Sequence, residues 1–189
     1  MVRAVLLGPP GCGKGTQATR ACKARGLLHL STGDLLRAAV RDGTPLGVKA
    51  QGFMDRGELV PDDLVFALLR ERLRSPAAGA GFLLDGFPRN VAQAGTLDLE
   101  LGAAGITRVV HMRLDDEEIV RRLLGRGRPD DNEPVIRNRL KVYRAETAPL
   151  IDFYDRRGLL VTIDAHGALE AVAARIDDVL FGAQRPGGA

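Results

Sequence analysis

The sequence predicts an α/β protein in which a parallel sheet carries helices on both faces. Three observations support that class. Five mainly apolar runs of strand length stand at 2–7, 27–30, 82–84, 109–112 and 159–163, and near-continuous apolar runs suit strands buried on both faces. Helical patterns lie between them, and strands that alternate with helices have the connections a parallel sheet needs. The 189 residues, 45% hydrophobic and 27% charged, show no repeat, low-complexity tract or long linker, which fits one domain with a substantial core.

Each element has its own signal. The run at 2–7 ends in glycine and leads into a helix at 13–25, followed by the second strand. A helix at 62–74 starts behind Pro61, and another opens at Asp115, where Glu118 three residues later forms a capping box. Glu117 and Glu118 also suit the positive first turn. Leu169, Val172, Ala173, Ile176 and Leu180 recur at helical spacing and read as a core face. Pro149 falls inside a helical run at 134–154 and is expected to kink or divide it. Two stretches depart from the rhythm. Residues 31–60 hold two short helical pieces and no strand, with Gly43 and Gly57 as stops. Residues 125–133 (GRGRPDDNE) are too polar for a core. The expected core is therefore 1–30, 61–124 and 134–189, with a frayed tail at 184–189.

Composition excludes several classes. No apolar run approaches the ~20 residues of a membrane span, and the run at 4–7 is too short for a signal sequence, so a cytoplasmic protein without a membrane partner is expected. Cys12 and Cys22 form neither a disulfide framework nor a zinc knuckle. The net charge of +3 admits nucleic acid or phosphate-bearing small molecules. Tyr143 is the sole aromatic in the basic stretch 121–144, so a base-stacking platform is lacking and no nucleic-acid partner is expected.

The chemistry concentrates at residues 8–16, GPPGCGKGT, between the first strand and the first helix. Glycines there turn backbone N–H groups toward an anion, the helix start adds positive potential, and a lysine reaches the outer phosphates. Only four of the 27 basic residues are lysines, so Lys14 is the unusual choice. Gly15 stands where the strict motif has the hydroxyl that ligates magnesium, and Thr16 follows. A metal held by nucleotide and ordered waters is therefore expected, with Asp85 orienting the waters; the alternative for Asp85 is a turn cap. Cys12 has two readings: a thiolate activated by Lys14 and the helix start, whose modification blocks nucleotide binding, or a buried, inert small residue.

Taken in order, GPPGCGKGTQ, STGDLLR at 31–37, DGFPR at 85–89 with Gln93, and GRPDDN with Arg139 and Tyr143 resemble adenylate kinase along nearly the whole chain. The resemblance implies a P-loop NTPase-type five-stranded parallel sheet, an AMP-binding excursion at 31–60 and a very short lid at 125–133. It also implies magnesium-dependent transfer of the terminal phosphoryl group of ATP to AMP, giving two ADP, in an enzyme that is by analogy a monomer. Such a reaction passes through a loose transition state and needs positioned positive charge rather than a general base.

The implied catalytic set is Lys14, Asp85, Arg89, Arg126, Arg128 and Arg139. For ATP it is Gly11, Cys12, Gly13, Lys14, Gly15, Thr16, Arg122, Arg126 and Gly167. For AMP it is Thr32, Arg37, Glu58, Leu59, Val60, Gly86, Phe87, Pro88, Arg89, Gln93, Arg128 and Arg139. Asp130 and Asp131 either hold the lid arginines or are simply solvated. Thr32 and Gln93 match the AMP-specific pattern, whereas Asn90 matches pyrimidine-monophosphate kinases and keeps a CMP or UMP enzyme as the alternative. A nucleotide-dependent switch lacks an N-K-x-D signature and leaves DGFPR unexplained. No structural zinc is expected, because Gly127 alone separates Arg126 from Arg128. So short a lid also implies some ATP hydrolysis without AMP. Arg121, Arg137, Arg144, Arg156 and Arg157 read as solvated charges, and His29 and His111 as hydrogen-bonded strand residues.

Overall fold

The computed structural model describes residues 1–128 and 131–182. Among these, strands β1 (Arg3–Leu7), β2 (Leu28–Ser31), β3 (Phe82–Asp85), β4 (Arg108–Arg113) and β5 (Leu160–Asp164) form one sheet. Its order is β2-β3-β1-β4-β5, and every pairing is parallel. The helices are α1 (Lys14–Arg25), α2 (Thr32–Arg41), α3 (Pro45–Asp55), α4 (Asp62–Leu73), α5 (Val91–Leu101), α6 (Asp116–Arg126), α7 (Glu133–Val142), α8 (Pro149–Asp155) and α9 (Leu169–Phe181). No helix among the described residues is long and apolar enough to cross a membrane.

The expectation of a sheet covered on both faces holds. Successive residues of β1 enter different cores: Ala4 and Leu6 join Ala18 of α1, Ile119 of α6 and Ile176 of α9, while Val5 and Leu7 join Leu69 of α4, Leu97 of α5 and Leu150 of α8. Burial on both faces is why the inner strands β1, β3 and β4 show no polar alternation, whereas the edge strand β5 exposes Val161, Thr162 and Asp164. Removing about 25 cal/mol per Å² of apolar surface from water favours this two-sided arrangement over any that leaves a face wet.

Several expectations need correction. The Asp115 side chain caps α6 by accepting from the Glu118 N–H (2.9 Å), but the Glu118 carboxylate turns to Arg121 and Arg122 instead of closing the box. Leu169 is 45% exposed and lies outside the core face that Val172, Ala173, Ile176 and Leu180 build. Ser31 ends β2 and caps α2, its Oγ accepting from the Asp34 N–H, so the second strand reaches one residue into the expected excursion. Pro149 does divide its helix; the break is spread over a π-helical turn at Tyr143–Thr147 before α8 starts. Gly125 and Arg126 belong to α6 and Glu133 to α7, leaving only 127–132 between the helices. Asp130 and the tail at 184–189 lie outside the described residues.

The excursion at 31–60 folds as α2 and α3, with Gly43 and Gly57 just past their ends at φ +63° and +69°. The two helices approach closely at Gly47, where an added Cβ would stand 2.0 Å from the Ala39 carbonyl oxygen. Thr44 starts α3, its Oγ1 accepting from the Gly47 N–H at 3.0 Å.

Candidate active site

The site lies where chain order reverses in the sheet. β1 pairs with β3 on one side and β4 on the other, so the connections beyond its C-terminal end diverge and open a crevice. Residues 8–13 cross this opening. Gly8 and Gly11 are obligatory there: a Cβ on Gly8 would meet the Met112 carbonyl oxygen at 2.7 Å, one on Gly11 the Leu123 side chain at 2.8 Å, and φ is positive at both. Helix α1 then starts behind Gly13 with no side-chain cap and no acid in its first turn. Its leading N–H groups are therefore available to an anion.

A cleft of about 740 Å³ opens above this loop; among the described residues it is lined by Lys14, Arg37, Arg89, Arg122, Arg126, Arg128 and Arg139 and by two acids, Asp34 and Asp85. Lys14 Nζ donates to the carbonyls of Gly8 and Pro9, both at 2.7 Å. Arg89 Nε donates to the Gly86 carbonyl at 2.8 Å, and the Arg89 carbonyl accepts from Thr147 Oγ1. Burial, then the charges of Arg139 and Arg37, lower the Arg89 pKa to about 10; the nearby carboxylate of Asp85 opposes the fall. Positive charge crowded into a poorly solvated place attracts an anion strongly.

The opposite wall is organised by Asp131. Its carboxylate, fully covered, accepts from Arg126 Nε and Nη2 at 2.7 and 2.6 Å and from Arg139 Nη1 at 3.3 Å. Burial acts to raise the Asp131 pKa, but the Arg126 hydrogen bonds and charge, with Arg139, outweigh it and hold the carboxyl below its ordinary range. Asp131 therefore holds arginines and is not simply solvated. In the same way burial raises and the Arg37 bond (2.6 Å) lowers the Asp34 carboxyl, with a net fall.

A smaller hollow of about 60 Å³ adjoins the cleft, lined by Thr32, Glu58, Leu59, Val60, Gly86 and Gln93 among others. Thr32 Oγ1 donates to the Gly86 carbonyl at 2.9 Å. Gln93, 3% exposed, accepts at Oε1 from the Arg89 N–H (2.7 Å) and donates from Nε2 to Asp62 Oδ1 (2.6 Å). Asn90 caps α5, its Oδ1 accepting from the Gln93 N–H at 2.8 Å.

The structure brings nearly all the expected residues together. Gly11, Cys12, Gly13, Lys14, Gly15, Thr16, Arg122, Arg126 and Gly167 line the cleft, as do Arg37, Leu59, Asp85, Gly86, Pro88, Arg89, Arg128 and Arg139. Thr32, Glu58, Val60 and Gln93 line the smaller hollow. Phe87 lines neither: it is 1% exposed and packs on Phe66, so its side chain belongs to the core. Cys12 is also 1% exposed, a burial that suits the inert reading, while Lys14 Nζ 3.6 Å from its sulfur is the contact the activated reading requires. Sequence reasoning missed Asp62 and Thr147, whose partners lie 31 and 58 residues away, and Gln17, which lines the cleft and donates to the Leu169 carbonyl. No local pattern signals such contacts.

The remaining basic residues stand outside. Arg121, Arg137 and Arg144 are exposed and pair with Glu118, Glu133 and Asp116. Arg157 is exposed as expected and also lies 3.7 Å above the Phe153 ring and 2.7 Å from Asp98. His111 is buried beside Thr162 and its pKa is lowered by that burial; His29 lies 3.4 Å from Thr19 Oγ1. Among the described residues no group of three His, Cys, Asp or Glu is arranged to hold a metal.

A family model described as adenylate kinase matches residues 6–159, a span holding most of the residues that line the two hollows. The chain belongs to the adenylate kinase family. It is 58% identical over 177 residues to an adenylate kinase of Synechococcus sp. (strain WH7803), covering 93% of this chain and 96% of that one. An adenylate kinase of Thermobifida fusca (strain YX) is 53% identical over 180 residues, with 92% and 95% covered. That of Prochlorococcus marinus (strain MIT 9313) is 53% identical, with 94% and 98% covered. The relatives matched are adenylate kinases, and Asn90 has a structural role as the N-cap of α5.

Proposed function

We propose that the chain catalyses reversible, magnesium-dependent transfer of the terminal phosphoryl group of ATP to AMP, giving two ADP. One observation carries this reading: among the described residues, seven cations and two carboxylates line a cleft floored by a glycine-rich loop and an uncapped helix start. Such a site is built for several phosphates at once.

In this reading the loop 8–16 and Lys14 hold the ATP phosphates, with Arg122 and Arg126 on the facing side of α6 and the backbone near Gly167 against the base. Arg37 and Arg89 hold the AMP phosphate, and Thr32, Gln93 and the backbone of 58–60 hold its adenine. Arg128 and Arg139 complete the ring over the transferring group. The two phosphate chains, brought end to end by these forks, are aligned for in-line transfer. Charge that spreads over the equatorial oxygens in the transition state meets donors already in place, so little reorganisation is needed. Closure of the lid and excursion over the cleft removes water and strengthens each contact.

Asp85 suits the magnesium. It is the one acid among the buried polar residues described, at the end of β3, with Oδ2 3.3 Å from where a Gly15 Cβ would stand. A lone carboxylate beside the phosphate loop fits an ion that keeps its waters and takes its other ligands from nucleotide. When bound, the ion neutralises phosphate charge. The chain is further proposed to act as a soluble cytoplasmic monomer.

Incubation with magnesium ATP and, separately, AMP, CMP, UMP and GMP, with each diphosphate quantified, tests the reading. ADP formation dependent on AMP is expected. Faster product from CMP or UMP, or none from AMP, overturns it.

A further inference from the structure

Asp62, the first residue of α4, lies outside every set considered so far, yet both its oxygens are engaged by side-chain amides beside the smaller hollow. Oδ1 accepts from Gln93 Nε2 at 2.6 Å, and Oδ2 lies 3.4 Å from Asn90 Nδ2. The other end of the Gln93 amide accepts from the Arg89 N–H at 2.7 Å. A carboxylate can only accept and a peptide N–H can only donate. The Gln93 carboxamide therefore has one permitted orientation, decided by chemistry on both sides. Flipping it would set oxygen against carboxylate and NH₂ against N–H. At 3% exposure there is little water to replace the two lost bonds.

This lock has a consequence for the ligand. Each polar end of the amide keeps one unused valence: a second lone pair on Oε1 and a second hydrogen on Nε2. Together they match a base edge in which an exocyclic amino donor adjoins an unprotonated ring nitrogen. Adenine and cytosine carry that edge. Guanine and uracil carry its inverse, a keto acceptor beside a ring N–H, and would face oxygen with oxygen and hydrogen with hydrogen. We infer that Asp62 is a specificity-determining positioning residue, which fixes the polarity of the Gln93 amide and so excludes guanine and uracil monophosphates from the acceptor site. Separation of adenine from cytosine falls to other contacts, Thr32 among them. The inference rests on the proposed acceptor role of the smaller hollow and adds to it the origin of one half of base choice.

The test compares wild type with Asp62→Asn, whose amide can offer either an oxygen or an N–H to Gln93, so that the Arg89 N–H alone still disfavours the flipped orientation. The kcat/KM ratios of AMP to UMP and of AMP to GMP are expected to narrow by about tenfold or more, the scale of one bidentate base contact. The change should appear in the KM of the monophosphate. The AMP-to-CMP ratio, the kcat with AMP and the KM for ATP should stay within about twofold. Unchanged AMP-to-UMP and AMP-to-GMP ratios overturn the inference alone, as does an equal narrowing of AMP to CMP, which would mark general loosening.

A second measurement needs no variant. Against wild type, inosine monophosphate presents the inverted edge, whereas purine riboside monophosphate merely lacks the amino group. The lock requires inosine monophosphate to be the poorer acceptor by about tenfold, and equal use of the two overturns it. If wild type fails to phosphorylate AMP at all, the proposed activity falls and this inference with it, a result distinct from normal AMP turnover with unaltered base ratios.

Discussion

The two walls of the cleft hold their cations by opposite means. On the sheet side Lys14 and Arg89 give hydrogen bonds to carbonyls of the loop and turn that carry them. On the side of α6 and α7, Arg126 and Arg139 bind the carboxylate of Asp131. A carbonyl satisfies a donor without cancelling its charge, so Lys14 and Arg89 keep theirs, with the Asp85 carboxylate partly opposing the field of that wall. Asp131 offsets charge but holds the guanidinium groups in a fixed fork. The sheet wall is thus set to attract phosphate, and the helical wall to be ordered before phosphate arrives.

The largest effect that can break this comparison is at Lys14. Lys14→Ala should lower kcat by about 10²–10³-fold, the usual loss when one preorganised transition-state donor is removed. Steady-state turnover within tenfold of wild type would mean that the carbonyl-held charge does little. Asp131→Asn sharpens the comparison from the other wall. It keeps the size of the side chain and removes its charge, so Arg126 and Arg139 lose their common anchor, and kcat should fall about tenfold. An unchanged kcat in the same assay would show that the fork needs no anchor.

Smaller effects belong to positions without net charge or outside the cleft. Thr32→Ala should mainly relax base choice, narrowing the AMP-to-CMP ratio of kcat/KM by several-fold, on the order of one lost hydrogen bond; an unaltered ratio would remove Thr32 from base reading. His166 is the surface counterpart of the carboxylate-held cations, with Nδ1 2.6 Å from Asp164 and Nε2 2.5 Å from Asp115. Asp164, then Asp115, raise its pKa above 6.5, and it helps lower theirs below 3.8. The raised histidine stabilises the fold below 6.5, and that contribution is lost as pH rises through its higher folded pKa. The lowered carboxyls stabilise above 3.8, and theirs is lost as pH falls through their lower folded values. Thermal denaturation of wild type and His166→Ala should therefore differ most between about pH 4 and 6.5, by a few degrees at most for so exposed a cluster. Parallel pH profiles would show that the pairs contribute nothing.

The parts of this molecule legible in its sequence are those governed by neighbours along the chain. β1 announces itself because both faces of Ala4–Leu7 are covered, and the loop at 8–16 because its glycines, lysine and flanking elements are consecutive. The half-closed box at Asp115 shows the limit of such signals: Glu118 has the right spacing, but Arg121 and Arg122 on the same helix compete for its carboxylate. Phe87 sits inside a binding motif and still points into the core, since a motif lists residues without stating which way each side chain faces. Asp62 was invisible because its partner belongs to another helix. A contact made by tertiary packing leaves no period to read.

The short link between Arg126 and Glu133 bears on how this architecture tolerates change. Its outer residues, Gly127 and Asn132, are exposed and stand just beyond two helix ends, so chain added beside either would meet solvent first. The entropy of closing such a loop grows by only about 0.6 kcal/mol for each doubling of its length. Even a whole grafted subdomain would leave the foundations beneath it almost undisturbed.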